Sequence, residues 1–509
     1  MLHIPIIYKV LGTLLYLLAL LMSICFGMSY WFNEGSTHLA FGIPMLIAFV
    51  AGALLQYFGR HAENCMGRRD GFLIVSLTWI VFSVIGMLPL IISGCQPRVS
   101  AAFFETMSGF TTTGATALDN IDSLPYSILT WRSMTHWIGG MGIVFFTIAV
   151  LPNMGDGGTK LFSAESTGLK IGKLHPRIST TARWMWSLYL LLTLTCTAAY
   201  YWGGMSLYDA VNHGLSTIGT GGFSTHQDSI AFFKSNRIQW IATLFMFIAS
   251  INCTLLYLFF VKRRFKDVWH DGELRCFLVI FFTAALSITG ILYFVEGIDI
   301  MSSLRIAFFN TVSLQSTTGF SDEDFMIWHP TIWLILSFIS IIGACAGSTS
   351  GGLKCIRVLM VWKLTKTEFR QMLHPHAVLP VRHQQHPDYR PDGSHRICFL
   401  CGLLHPHHGG VFLHGSHGSH PARLFWSGHI FVQQHRPQHR SSSRSLRFLE
   451  LFERCHFMDK LLPDARRPFG NILVAPALHS RFLARRISAH GSVQRCCIPK
   501  NKIQHLLLS

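Results

Sequence analysis

The chain has 509 residues, half of them apolar and only 13% charged, with a mean hydropathy of +0.38. That balance excludes an ordinary soluble enzyme and places the chain among membrane proteins. The formal charge of +17 does not indicate a nucleic-acid partner, because residues 1–380 carry a net +5 and residues 381–509 a net +12. The excess is a break in composition that begins near residue 381, where 16 of the 27 histidines also lie.

A helix needs about 20 apolar residues to cross a bilayer. Such runs predict spans near 6–30, 40–58, 72–93, 127–151, 182–203, 238–261, 275–295 and 331–365, the last of them interrupted. Residues 1–30 lack a cleavable small-residue site and read as an uncleaved first span. The first two spans predict a hairpin over residues 1–62. From there the order is span, Thr/Gly-rich segment, span, three times over, giving units at 63–165, 166–270 and 271–380. Arg60, Arg68 and Arg69 follow the second span, Lys160, Lys170, Lys173 and Arg177 the fourth, and Lys262, Arg263, Arg264 and Lys266 the sixth. Lys354, Arg357, Lys363, Lys366 and Arg370 follow the eighth. The intervening connections carry Asp119, Asp122, Asp228, Glu296, Asp299, Asp322, Glu323 and Asp324. Basic loops stay in the cytoplasm, so the amino terminus is expected inside and all three Thr/Gly segments are expected to enter from outside.

Those segments are residues 103–118 (FFETMSGFTTTGATAL), 209–225 (DAVNHGLSTIGTGGFST) and 303–321 (SLRIAFFNTVSLQSTTGFS). Aligned on their ends, they put Gly114, Gly222 and Gly319 in one slot of a long-period repeat. Each reads as a short helix that stops in hydroxyls and glycine. Irregular backbone at membrane depth is tolerated where it is buried or borders water. Stripping water from a cation costs tens of kcal/mol in a low-dielectric medium, so a pore must supply replacement oxygens. Glycine opens backbone conformations that aim a carbonyl at the axis. Thr111, Thr112, Thr113, Thr220, Thr317 and Thr318 add hydroxyls or anchor the turn, with Gly221 beside Gly222 in the second copy. The carboxyl end of each short helix, partly negative, favours a cation over an anion.

The interruption in the eighth run comprises Gly343, Ala344, Cys345, Ala346, Gly347, Ser348, Thr349, Ser350, Gly351 and Gly352, with Lys354 just beyond. Small residues in a membrane helix commonly make a close-packing seam. Ten in succession also have poor helix propensity and expose backbone polar groups, which favours a flexible gate beneath the pore. Cys196, Cys253, Cys276 and Cys345 sit singly in apolar surroundings and read as small buried hydrophobes. No nucleophile is paired with a base, so no enzyme is expected and no catalytic residue is assigned. His136, His213 and His226 read as isolated structural residues near the membrane boundaries.

These motifs resemble the bacterial Trk/Ktr potassium uptake proteins, specifically their membrane subunit. The resemblance rests on the stretches at 69–75 (RDGFLIV), 108–116 (SGFTTTGAT), 137–143 (WIGGMGI), 221–226 (GGFSTH) and 343–354, and it covers about residues 1–380. It implies an all-α polytopic membrane protein with four span–pore–span repeats around one ion pore, of which three are intact here. Gly114, Gly222 and Gly319 would be the filter glycines, and residues 343–352 an intramembrane gate. It further implies potassium as the transported ion, a homodimer in the bacterial inner membrane, and a cytoplasmic nucleotide-binding regulatory subunit. Nucleotide would act only through that partner, and no covalently bound cofactor is implied. Family members with serine in the first slot tend to accept sodium, so Gly114 suggests potassium. Gly219, Thr220 and Gly221 depart mildly from the three threonines of the first copy.

The resemblance calls for a fourth repeat in residues 381–509, and none is legible there. A His-rich metal-binding tail with Cys398 and Cys401 as C-x-x-C, belonging to a divalent-metal transporter, is disfavoured by irregular His spacing. A disordered tail is disfavoured by its scattered Phe, Leu, Trp and Ile. Starting each codon at its second base offers a third reading. Residues 432–440 can then encode Phe-Asn-Asn-Ile-Gly-Pro-Ser-Thr-Gly, like the family's fourth filter. Residues 382–393 can encode a run containing Ile-Asn-Asn-Thr-Pro-Ile-Thr-Gly-Gln-Thr-Val, and 464–484 a leucine run ending Phe-Thr-Pro-Ala-Phe-Trp-Arg, like the last helix. A frame shift is therefore expected, leaving residues 381–509 without a packed domain and the chain impaired in conduction, or else a non-transporting membrane fragment.

Overall fold

Apolar patterning dictates the order of elements, and every regular element among the described residues is helical. The structure, a computed structural model, describes residues 2–35, 37–62, 67–142, 178–323 and 327–373. Lys160, Lys170, Lys173, Arg177, Asp324, the end of the expected fourth span and everything assigned to residues 381–509 lie outside the described residues.

Helix α1 (Ile4–Trp31) starts with a proline in its first turn, where no intrahelical N–H is lost. It pairs with α2 (Thr37–Phe58) in the expected hairpin. Glu34, in the connection, accepts bonds from Tyr126 N and Ser127 Oγ, both at 2.5 Å, and so fastens the hairpin to the next unit. Helix α3 (Arg68–Gly86) opens on the RDG motif. Asp70, fully buried, accepts from Gly67 N (2.8 Å) and pairs with His3 Nδ1 (2.9 Å), so one carboxylate caps α3 and ties down the amino terminus. Pro89 restarts the chain as α4 (Leu88–Ile92).

The first re-entrant unit is α5 (Val99–Phe110), its Thr/Gly turn and α6 (Tyr126–Met141). The second comprises α7 (Ile178–Trp202), α8 (Leu207–Ile218), α9 (Asn236–Ala249) and α10 (Cys253–Phe260), followed by the short α11 (Phe265–Trp269). The third comprises α12 (Gly272–Phe294), α13 (Ile300–Gln315), α14 (Pro330–Ile342) and α15 (Cys355–Leu373). The three short helices α5, α8 and α13 occupy the same place in their units, each ending where its Thr/Gly turn begins.

Four apolar stretches among the described residues are single helices long enough to cross a bilayer: Ile4–Trp31, Thr37–Phe58, Arg69–Ile92 and Gly272–Phe294. The expected unbroken span at 238–261 is instead two helices, α9 and α10, meeting at 102°. The eighth run is interrupted as expected, between α14 and α15.

The cores run across unit boundaries. Leu14, Leu18 and Met22 of the hairpin pack with Phe82, Phe110 and Trp131, while Tyr200, Ile218 and Met246 gather with Phe309 and Phe320. Leu39, Leu46, Leu191, Val279 and Phe338 remain exposed, as a lipid-facing surface requires. In lipid the tail region is as apolar as leucine, so pairing of helices relies on close packing and buried polar bonds more than on apolar transfer. The polar bonds cluster at the Thr/Gly turns.

Candidate filter and gate

The three turns share one backbone. Thr112, Thr220 and Thr317 have φ of 53°, 51° and 57°, and Gly114, Gly222 and Gly319, two residues on, have φ of 74°, 81° and 77°. Left-handed residues thus alternate with a single residue between them that is not at positive φ. Threonine reaches the left-handed region only at a cost of about 1–2 kcal/mol, so the surroundings must hold these turns in place. Alternating handedness lets consecutive carbonyls face the same side of a strand, the arrangement an ion path needs.

The holding groups repeat as well. Six residues before the glycine stands a serine in every copy: Ser108, Ser216 and Ser313. Ser108 Oγ donates to Ala115 O (2.7 Å) and Ser313 Oγ to Phe320 O (2.6 Å), pinning the carbonyl just beyond the glycine. Their own carbonyls accept Thr113 N (2.9 Å) and Thr318 N (3.0 Å), and Ser216 O accepts Gly221 N (3.0 Å). Nine residues before the glycine lie Glu105, His213 and Asn310, all buried. Glu105 accepts from Ala117 N (2.7 Å) and Thr116 Oγ1 (3.0 Å), His213 Nε2 meets Ser224 Oγ (3.0 Å), and Asn310 Nδ2 donates to Asp322 Oδ1 (2.9 Å). Different side chains do one job, which is to hold the outgoing strand against its pore helix.

Neighbouring copies interlock. Arg132 on α6, buried beside Glu105, donates through Nε to Glu105 Oε1 (2.8 Å) and through Nη2 to Thr116 Oγ1 (3.2 Å). Its guanidinium also lies 4.1 Å from the centre of the Phe223 ring, one residue beyond the second glycine, a cation–π contact. His136, four residues along α6, stacks on the same Phe223 with ring centres 3.9 Å apart. Phe223 N donates to His136 Nδ1 (3.3 Å), so that nitrogen is an acceptor and the ring proton sits on Nε2. A Cβ on Gly221 would come within 2.1 Å of the His136 ring, so nothing larger than glycine fits there. His136, His213 and His226 are therefore not isolated, contrary to expectation; all three brace the Thr/Gly turns or the strands just beyond them. His226 joins two copies, with Nδ1 2.9 Å from Asp122 and Nε2 3.6 Å from Asp209. Burial alone lowers its pKa, but the hydrogen bonds and charges of Asp209 and Asp122 outweigh that and raise it above the ordinary 6.5.

The small-residue run forms a loop between α14 and α15, with Gly343, Gly347, Gly352 and Lys354 all at positive φ. It docks on the bend between α9 and α10. Cys253 N donates to Gly347 O (3.0 Å), Cys345 N to Ser250 O (3.2 Å) and Thr349 Oγ1 to Ala249 O (3.3 Å). Each break thus satisfies backbone groups freed by the other, which explains how two interrupted helices persist at this depth. Ser348 and Ser350 hydroxyls meet at 2.8 Å, and buried Lys354 donates to Ser350 O. Gly351 N donates to Thr317 Oγ1 (2.6 Å), a direct bond between this loop and the third Thr/Gly turn.

The structure therefore brings Thr112, Gly114, Thr220, Gly222, Thr317 and Gly319 into equivalent turns and joins the third to the loop at 343–354. Thr111 and Thr113 bond each other (2.8 Å), Thr318 bonds Ser316 (2.7 Å), and Gly221 is fixed against His136. Sequence reasoning missed Glu105, Arg132, His136 and the serine slot. The serines were findable, since they recur at the same offset from each glycine.

Comparison with known proteins gives a consistent result. The family model for TrkH, described as a cation transport protein, matches residues 37–387. The Trk system potassium uptake protein TrkH of Halomonas elongata is 39% identical over 379 residues, covering 74% of this chain and 78% of the relative. The protein of the same name from Escherichia coli K12 is 38% identical over 383 residues, covering 75% and 79%. Among solved structures, the crystal structure of the potassium transporter TrkH from Vibrio parahaemolyticus superposes with a TM-score of 0.72 at 31% identity, covering 84% of this chain and 89% of that one.

Proposed function

The chain belongs to the TrkH family of cation transport proteins, and from that premise we propose that its three Thr/Gly turns are three walls of a four-walled potassium filter. The observation that carries this reading is the repeated pair of left-handed residues, Thr112 and Gly114, Thr220 and Gly222, Thr317 and Gly319. A potassium ion entering from outside sheds water only if fixed oxygens replace it at little reorganisation cost. Serine bonds to the carbonyls of Ala115 and Phe320 set those strands rigidly, and the carboxyl ends of α5, α8 and α13 add partial negative charge. The loop containing Gly343, Gly347, Ser348, Thr349, Ser350, Gly351, Gly352 and Lys354 is the gate, with Lys354 as a cation that opposes passage while the loop is closed.

The units at 63–165, 166–270 and 271–380 follow as functional repeats after the hairpin at 1–62. The setting is the bacterial inner membrane with the amino terminus in the cytoplasm. A second copy and a cytoplasmic nucleotide-binding subunit are the partners. Residues 381–509 as written replace the fourth wall, so this polypeptide conducts poorly or not at all.

Potassium-limited growth of a strain lacking its own uptake systems tests both halves. The chain as written is expected not to rescue growth, and a version recoded from residue 382 in the second-base frame is expected to do so. Rescue by the chain as written would overturn the impairment. Failure of the recoded version, with normal membrane insertion, would favour a non-transporting fragment. In the recoded version, Gly114→Ser is expected to admit sodium, read as sodium-dependent flux into vesicles.

A further inference from the structure

Glu273 is the second residue of α12 and is buried. Its position suits it electrostatically, since a carboxylate in a helix's first turn faces the partly positive N–H end. Asp271, the N-cap, already accepts Leu274 N (2.8 Å), which leaves Glu273 free to reach outward. A single oxygen, Oε1, accepts Ala346 N at 2.5 Å and Ile356 N at 3.2 Å. These two amides flank the loop: one lies three residues into it, the other just beyond Lys354. Next to them the loop's base closes on itself, with Cys355 N donating to Ala344 O (3.0 Å), Leu353 N to Ile341 O (3.2 Å) and Cys355 Sγ to Gly343 O (3.3 Å).

The contacts of the loop's middle differ in kind. Gly347 O, Thr349 Oγ1 and Gly351 N bond to Cys253 N, Ala249 O and Thr317 Oγ1, all on other elements, through neutral groups. At the base two amides converge on one buried side-chain oxygen, whereas the bonds of the middle are spread singly over three other elements.

We propose that Glu273 is the positioning residue of the gate, clasping the two ends of the loop on one carboxylate oxygen so that only its middle, residues 347–352, is free to swing. This rests on the loop being the gate, but the clasp is measurable without ion flow. Cys345 and Cys355 lie at the clasped base and are fully buried. In the purified full-length chain, their alkylation by N-ethylmaleimide, read cysteine by cysteine by peptide mass spectrometry, reports opening of the base. The parent chain is expected to leave both thiols unmodified on the timescale over which Glu273→Ala labels them at least about tenfold faster, because two buried hydrogen bonds are lost together and both amides are left unmatched. Glu273→Gln keeps an acceptor oxygen and is expected to restore protection. Cys25 and Cys196, buried in other cores, serve as folding controls. Should Glu273→Ala also expose them, the shorter Glu273→Asp, which cannot span both amides, takes its place with the same expectation. Equal labelling in the parent and the truncated variant, or a glutamine variant as reactive as alanine, overturns the clasp. Neither outcome depends on whether the chain transports potassium.

Discussion

At Glu105 and Arg132 the balance of forces is set by burial. Their side chains are 1% and 3% exposed, so solvent does not screen the pair. Removing one charge strands the other, which typically costs about 3–5 kcal/mol. Glu105→Ala is accordingly expected to lower the thermal unfolding temperature in detergent markedly, and Glu105→Gln, which still accepts a bond, to lower it less. His226 behaves differently because it titrates. Its pKa is raised in the folded chain, so its contribution is complete below the ordinary value of 6.5 and is lost as pH rises through the raised value. Asp209 has its pKa lowered, with hydrogen bonds from His226, Ser206 and Thr225 overcoming its burial, and so remains charged throughout that window. Unfolding temperature is expected to fall as pH rises through the raised histidine value, and His226→Gln to flatten that dependence. The glycine slot was legible in the sequence because the three Thr/Gly segments, aligned on their ends, put Gly114, Gly222 and Gly319 at one position. His136 was not, since its partners Ser216 and Phe223 lie 80 and 87 residues away and no local pattern announces them.

At the level of elements, two broken helices support each other. The interruption after α14 was legible because ten small residues cannot sustain an apolar helix. The bend between α9 and α10 was not, because Ser250, Ile251 and Asn252 barely interrupt the hydropathy of residues 238–261. What makes the bend is a cap: Asn252 Oδ1 accepts Thr254 N (2.8 Å) and starts α10 afresh. Asn252→Ala is expected to destabilise the chain by about 1 kcal/mol, seen as a lower unfolding temperature. The bond from Gly351 N to Thr317 Oγ1 joins the proposed gate to the proposed filter, and losing it leaves a polar group unmatched. In a recoded, conducting version, Thr317→Val is expected to alter open probability in single-channel recordings, and Thr317→Ser, which keeps the hydroxyl, to preserve it.

For the whole molecule, the sharing of cores matters. Among the described residues, one core joins the hairpin to the first unit and another joins all three units. On the reading that residues 381–509 form no packed domain, a chain stopped after residue 380 is expected to insert and to unfold at the same temperature as the full chain, by thermal melting in detergent. The all-helical membrane class was legible from hydropathy, and the equivalence of the three turns from their shared ends. The stitching between repeats escaped because it is made by side chains on one unit serving the next. That stitching has a consequence for ancestry. Copies that arose by duplication normally remain interchangeable parts, yet here α6 supplies the imidazole against which Gly221 must stay bare. The Thr113 found at the matching place in the first copy would collide with that ring. Gene conversion that overwrote the second turn with the first would therefore produce a misfit, which keeps these two copies distinct at this position.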